Sequence, residues 1–303
     1  MFDIVTVGHL CVDSIFLPDR HAPAIVLGGS ATYVSLAARR LEARVGVISK
    51  VGGDFPEAYR WWFEQEHIDM VGVTKLDAAQ TTRFELKYSD DLSDRVLFLR
   101  SRAPSITVDD IPASLKASAV HLAPIDCEVG YEVAESVRKN AEIVSLDPQG
   151  LVRDFAPDGS VKSCSLADKR ILGLVDIYKS SHDEIRAVTD LDDLDEAVRG
   201  VHDCGVKIVI VTLGSAGVLV SSGDGSHRVP ACKPAKLVDP TGAGDAFIGG
   251  FLEEYASGAN ILRCACVGSA AASFIVEGVG PTALADKAQV YERAQSLYEK
   301  EIK

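Results

Sequence analysis

The sequence predicts an α/β protein: a doubly wound, mainly parallel β-sheet flanked by helices, with a small antiparallel sheet projecting from it. Three observations lead there. Short runs rich in β-branched residues recur at 4–7, 45–48, 119–122, 143–146, 175–178 and 208–212, the pattern of strands buried on both faces. Helix-length stretches at 30–42, 56–67, 128–140 and 191–204 separate them, and strand-helix alternation of this kind builds a parallel sheet with helices on both sides. One segment breaks the rhythm: 81–88 alternates polar and apolar residues, 89–94 is rich in turn formers and 95–100 is apolar again, which makes a β-hairpin with two unlike faces.

Taken in order, the first strand leads into Gly8-His9-Leu10-Cys11-Val12-Asp13, which has no G-x-G-x-x-G and so argues against a dinucleotide-dependent oxidoreductase. Residues 14–17 and 24–27 are expected to pair with the hairpin in the projecting sheet, the competing arrangement being an edge extension of the main sheet. Gly28-Gly29 opens the helix at 30–42, either as a flexible lead-in or as a hinge that lets a polar ligand approach the backbone. Trp61-Trp62 in the next helix reads as core packing. These boundaries place 1–12, 28–72 and 104–303 in the core and 13–27 with 73–103 in the projecting sheet. Gln149 and Arg153 follow the strand at 143–146, at the strand end where open α/β sheets bind ligands; an ion pair with Asp154 is the competing role for Arg153. A solvated strand face is the competing role for Arg83 and Arg100.

The chemistry concentrates in Leu237-Val238-Asp239-Pro240-Thr241-Gly242-Ala243-Gly244-Asp245-Ala246-Phe247. Apolar residues at 247, 248, 251, 252 and 255 keep a helical face, so a helix starts near Gly244 or Asp245. Glycines 242 and 244 let the backbone close on an anion at the favourable end of the helix dipole, a phosphate cradle without a lysine. A carboxylate there helps phosphate binding little but is well placed to take a proton from an attacking hydroxyl, so Asp245 favours phosphoryl transfer; an N-capping Asp after a glycine turn is the plain alternative. Upstream, 208–220 reads as strand, glycine-punctuated turn and strand, with Thr212 and Ser215 able to hold a nucleotide.

Charge sets limits on partners. Lys and Arg total 31 against 44 Asp and Glu, and a net charge of −13 leaves no footprint for nucleic acid or an anionic membrane. No run of about 18 apolar residues occurs, and the start has no cationic leader, so a cytoplasmic protein is expected. The seven cysteines, at 11, 127, 164, 204, 232, 264 and 266, are scattered and read as buried reduced thiols; Cys264 and Cys266 are too closely spaced for a C-x-x-C site.

Three of these motifs resemble those of the PfkB family, the ribokinase-like carbohydrate kinases. Asp239-Pro240-Thr241-Gly242-Ala243-Gly244-Asp245 looks like the family's second signature, Thr212-Leu213-Gly214-Ser215-Ala216-Gly217 like its nucleotide-binding turn and Gly28-Gly29 like its di-glycine hinge, in the family's order and across nearly the whole chain. The resemblance implies a Rossmann-like domain with a β-sheet lid, ATP as phosphoryl donor with Mg²⁺, room for a monovalent cation and a polyhydroxylated acceptor under the lid, which is also the expected homodimer surface. On it, Asp245 is the catalytic base, the amides of Gly242, Ala243 and Gly244 form the anion hole, and Asp13, Gly28 and Gly29 meet the acceptor. Thr212, Gly214, Ser215 and Gly217 meet the nucleotide. Ala270 and Ala271 of the late helix pack on its adenine, plain core being their other role.

Two departures matter. The family's N-x-x-E is Ser181-His182-Asp183-Glu184, with Glu184 expected to organise Mg²⁺ through water and His182 in a solvated loop, and the asparagine that follows the di-glycine in ribokinase is Tyr33. Together with 28–33, 81–88, 99–104 and 147–153 these resemble archaeal-type myo-inositol kinases. That resemblance adds Tyr33, Arg83, Gln149 and Arg153 to the acceptor site and makes a sugar or a cyclitol such as myo-inositol the expected acceptor. A nucleoside kinase of the same family is the alternative, which base-stacking aromatics in the lid would favour. A catalytically silent sensor is a further one, against which the intact Gly242-Ala243-Gly244 and Asp245 argue.

Overall fold

Val and Ile are stiff about χ1 and pack well on a pleated surface, and where both faces are covered they form unbroken apolar strands. Such strands make the centre of the protein, whose computed structural model describes residues 1–301. Among these residues the chain begins β1 (Phe2–Val7), β2 (Cys11–Phe16), β3 (Ala24–Gly28), α1 (Ser30–Arg40), β4 (Val45–Gly52), α2 (Glu57–Gln65), β5 (Asp69–Leu76), β6 (Thr82–Tyr88) and β7 (Arg95–Ser101). It continues through β8 (Ala117–Leu122), α3 (Tyr131–Arg138), β9 (Ala141–Leu146), β10 (Arg153–Phe155), β11 (Val161–Ser163), β12 (Ile177–Ser181), α4 (His182–Thr189) and α5 (Leu194–Asp203). It ends with β13 (Ile208–Thr212), β14 (Val218–Ser222), β15 (Gly225–Val229), α6 (Ala243–Ala256), α7 (Ile261–Ile275) and α8 (Lys287–Glu301).

The main sheet has nine strands in the order β15-β14-β13-β12-β9-β8-β1-β4-β5. From β13 to β5 every pairing is parallel, and β14 and β15 add an antiparallel edge. One face packs on α1, α2, α6, α7 and α8 through residues such as Leu36, Phe63, Phe251, Ala265 and Leu297. The other packs on α3, α4 and α5 through Val133, Val137, Ile185 and Val201. The second sheet is separate, in the order β3-β2-β6-β7, so the hairpin does not extend the main sheet.

Several expectations shift. Val73 to Leu76 belong to β5 in the main sheet, a strand the sequence hides because Gly72 and exposed positions interrupt its pattern; the small sheet itself takes in Cys11–Phe16, Ala24–Gly28, Thr82–Tyr88 and Arg95–Ser101. The helix expected from 128 starts at Tyr131, because the Glu128 carboxylate turns back to accept the amides of Ile125 and Asp126 and, across the chain, that of His9. His182 is not in a loop but is the first residue of α4. Of the cysteines, 11, 232, 264 and 266 are buried whereas Cys127 and Cys204 are exposed. Trp61 is 62% exposed, so only Trp62 of that pair packs on the core. Among the described residues no helix is long and apolar enough to cross a membrane.

What positions the site is the contact between α1 and α6. These helices lie close because Gly249 faces α1: a Cβ there would stand 2.6 Å from the Val34 carbonyl oxygen and 2.9 Å from the Ala37 Cβ. A backbone oxygen cannot swing aside as a side chain can. Gly249→Ala should therefore destabilise the protein by about 1–3 kcal/mol despite alanine's better helix propensity. Urea unfolding checks this; an unchanged midpoint would show that the two helices have slack between them.

Candidate active site

Both helices begin on a glycine in the left-handed region with no side-chain cap, Gly29 (φ 89°) for α1 and Gly242 (φ 80°) for α6. First-turn amides of an uncapped helix are donors waiting for an acceptor. At α6 the N–H of Ala243 is taken by the Pro240 carbonyl (3.3 Å), whereas those of Gly242 and Gly244 have no backbone acceptor among the described residues. Of the three amides expected to form the anion hole, the middle one is thus turned inward. Gly242 does not tolerate a side chain, since a Cβ there would lie 2.2 Å from the Tyr33 ring, and a Cβ on Gly244, 2.7 Å from Lys179 Nζ, would require that ammonium to move. Gly28 is as tight, since its Cβ would meet the Asp13 carboxylate at 1.9 Å.

Asp245 is the third residue of α6, not its N-cap. Its Oδ1 accepts the hydroxyl of Ser30, the first residue of α1, and Ser30 Oγ in turn accepts from Gln149 Nε2 (3.1 Å). Gln149 Oε1 accepts from Arg153 Nη2 (2.7 Å), and Arg153 Nη1 donates to the Ile125 carbonyl (2.8 Å). Arg153 is thereby turned inward, away from Asp154. Asp245, Ser30, Gln149 and Arg153 line one pocket with Asp13, Gly29 and Tyr33, roofed by Phe84, Leu86 and Leu97 from the small sheet.

Within that pocket Asp13 is 5% exposed, and among the described residues its one hydrogen-bond partner is the Cys11 thiol (Sγ–Oδ1 3.0 Å). Burial pushes its carboxyl up to about 6. The Tyr33 hydroxyl is buried with no hydrogen-bond partner among the described residues, and burial raises its pKa, so it stands as a neutral hydroxyl. Arg83 does not reach the pocket. The inward residues of β6 are Phe84 and Leu86, which leaves Arg83 on the outer face in an ion pair with Asp54 (2.9 Å); Arg100 likewise pairs with Glu85 (2.7 Å). The arginine of this hairpin that does line the pocket is Arg95.

A second, larger cleft meets the first at Asp245, Gly242, Gln149 and Arg95, which line both. Thr212 and Gly214 line it, and it runs on into an apolar pocket that adds Ser215, Gly217, Leu237 and Phe247. Ala270 and Ala271 are fully buried core; α7 instead shows that pocket Ser269, Ala272 and Ser273, with Val276 just past its end. Glu184 and Asp183 lie on the cleft wall. Ser181 is the N-cap of α4 in a capping box: its Oγ accepts the Glu184 amide (3.3 Å) while Glu184 Oε2 accepts the Ser181 amide (2.7 Å).

Lys179, in the middle of β12, is a cation that the sequence does not reveal, and it fills the place thought to lack one. It is buried against Asp147 (2.5 Å) beneath Gly244. Burial opposes its charge, yet the carboxylates of Asp147, Asp245 and Glu184 outweigh burial and keep it protonated. Among the described residues no three His, Cys, Asp or Glu side chains gather as a metal cluster. A phosphate-bound Mg²⁺ needs only one or two carboxylates besides phosphate oxygens and water, and Glu184, whose Oε1 has no hydrogen bond among the described residues, fits that need.

Residues 1–288 match the pfkB family carbohydrate kinases. The chain is similar to a cytidine kinase of Thermococcus kodakarensis, 31% identical over 88% of this chain and 94% of that one. It is similar to a nucleoside kinase of Methanothermobacter thermautotrophicus (32%; 99% and 98%) and to inositol 3-kinase of Arabidopsis thaliana (30%; 91% and 74%). In fold it resembles the nucleoside kinase of Methanocaldococcus jannaschii, with TM-score 0.79 at 24% identity over 97% of this chain and 98% of that one. It also resembles a pyrophosphate-dependent kinase of the ribokinase family complexed with a pyrophosphate analogue and myo-inositol, with TM-score 0.81 at 24% identity over 95% and 99%.

The raised carboxyl of Asp13 has a consequence for stability. A carboxyl whose folded value (about 6) exceeds its ordinary 3.8 opposes folding when ionised, so the cost is absent below the lower value and complete above the higher one. Asp13→Asn should stabilise the unliganded protein at pH 8 by as much as about 3 kcal/mol and leave it nearly unchanged at pH 3. Chemical unfolding at both pH values checks this; equal effects at both would refute the burial of a lone charge.

Proposed function

Since the chain belongs to the PfkB family of carbohydrate kinases and is a phosphotransferase with an alcohol group as acceptor, we propose that it moves the γ-phosphate of ATP to a hydroxyl of a compact sugar or cyclitol. The observation that carries this reading is the place of Asp245, in the wall shared by a small polar pocket and a large cleft that ends in an apolar slot. A base between acceptor and donor sites is what in-line phosphoryl transfer requires. The apolar slot beside the phosphate region supports a nucleotide over pyrophosphate as donor.

In this reading the small sheet is the lid. Asp13, the Tyr33 hydroxyl, Gln149 and Arg153 offer acceptors and donors to ring hydroxyls. The bond from Ser30, itself held by Gln149, fixes Asp245 in place. As the acceptor oxygen bonds to the γ-phosphorus its proton passes to Asp245, while the bridging P–O bond breaks and its electrons stay with ADP. The amides of Gly242 and Gly244 absorb charge on the phosphoryl oxygens. Glu184 would hold Mg²⁺, which when bound neutralises phosphate charge. A monovalent cation suits the buried Asp239 carboxylate, whose hydrogen bonds come from the amides of Thr241 (2.9 Å) and Gly280 (3.2 Å).

A nucleoside acceptor is the second reading. It is favoured by Phe84, an aromatic on the inner face of the lid, and by the cytidine and nucleoside kinases among the relatives. The first pocket is much smaller than the cleft beside it, which supports the smaller acceptor.

Asp245→Asn keeps an oxygen for Ser30 but cannot take a proton, so turnover should fall by about 10²-fold or more with ADP binding unchanged. Near-normal turnover would remove Asp245 as the base. ADP release measured across myo-inositol, hexoses, ribose and nucleosides should be fastest with a cyclitol or sugar; cytidine in first place would establish the second reading.

A further inference from the structure

Arg95 opens β7, just after the turn of the hairpin, and nothing in its local pattern marks it. It lines both the acceptor pocket and the donor cleft. Its Nη1 donates to the Tyr88 hydroxyl (3.1 Å), which is hydrogen-bonded to Oγ1 of Thr241 (2.8 Å) in the loop ahead of α6. The hairpin is thereby latched to the glycine loop, and the latch carries Arg95 with it. In a chain of net charge −13, its hairpin neighbour Arg100 is taken up by Glu85 and Arg83 by Asp54. Arg95 has no carboxylate within ion-pair distance among the described residues, although Asp245 and Glu184 act on it across the cleft. Lining the same cleft, beneath Gly244, stands the ammonium of Lys179.

We propose that Arg95 is a catalytic residue delivered by the lid: on closure its guanidinium meets the transferring phosphoryl group from the lid side while Lys179 meets it from the core. This rests on the kinase reading above. The group in flight carries charge on three equatorial oxygens while the acceptor P–O bond forms and the bridging P–O bond to ADP breaks. A fork of donors suits those oxygens, and it faces them only when the hairpin is shut, so an open lid leaves ATP without its second cation and spares it from water.

The test is calorimetric binding of Mg-ADP with and without aluminium fluoride, in excess myo-inositol, to the wild type, Arg95→Gln, Arg95→Lys and Tyr88→Phe. The wild type should bind at least about tenfold more tightly with fluoride. Arg95→Gln should keep its Mg-ADP affinity within about twofold and lose that gain, Arg95→Lys should recover part of it, and Tyr88→Phe should weaken it. Turnover of Arg95→Gln should fall about a hundredfold with little change in the KM for ATP. Equal fluoride gains in the wild type and Arg95→Gln overturn the role of Arg95 and leave the kinase reading intact, as does a rise confined to the acceptor KM, which would mark an anionic acceptor. Absence of any gain in the wild type overturns phosphoryl transfer to this acceptor, and the role of Arg95 with it.

Discussion

The site depends on two helix N-termini held side by side. Gly249 lets α6 settle against the backbone of α1, and the hydrogen bond between Ser30 and Asp245 ties their first turns together. Each helix starts on a positive-φ glycine that offers no capping side chain, so the donors there stay open to the cleft. Had Ser, Asp or Asn stood at either N-cap in place of Gly29 or Gly242, its side chain would have competed for the amides an anion needs. The glycines of these loops thus serve three ends at once: backbone conformation, clearance for Tyr33, Lys179 and Asp13, and uncapped amides.

Around that pair, polar side chains form two chains with a shared end. Arg153, Gln149 and Ser30 run in series to Asp245. Asp147 accepts the Gln149 amide on one oxygen (3.2 Å) and the Lys179 ammonium on the other. The segment after β9 therefore sets both the orientation of the carboxylate and the position of the buried cation. Glu128 does the same for backbone, collecting the amides of His9, Ile125 and Asp126 and so fastening the ends of β1 and β8 that lead into the pocket. Charges this deep are costly unless each is met by a partner, and here nearly every one is.

Much of this was legible in the sequence, because the fold's signals are local. Alternating apolar runs and helix-length stretches marked the sheet, and the glycine motif ahead of a helical face marked the start of α6 with Asp245 in its first turn. What was not legible depends on register or on distance in the chain. Arg83 was one residue out of phase on a strand whose faces alternate, so it lies outside while Phe84 faces in. Ala270 and Ala271 lie on the core side of α7, with Ser269 and Ala272 toward the slot, a difference of one step around the helix that an all-small-residue stretch does not announce. Lys179 reads as one polar residue closing a buried strand, and only the fold shows Asp147, Gly244 and Asp245 around it. Arg95 gains its meaning from Tyr88 and Thr241, the latter far along the chain.

The lone carboxylate of Asp13 links occupancy to persistence. Sealed beneath the small sheet with only a thiol for company, it makes the unliganded fold less secure near neutral pH than its packing alone would allow. A molecule whose hydroxyls donate to it removes that penalty and adds its own binding energy, so the folded population grows with the concentration of the molecule the pocket fits. In a cell where unfolded chains are continuously cleared, the amount of this protein would then follow the supply of that molecule, with no regulator beyond one buried charge.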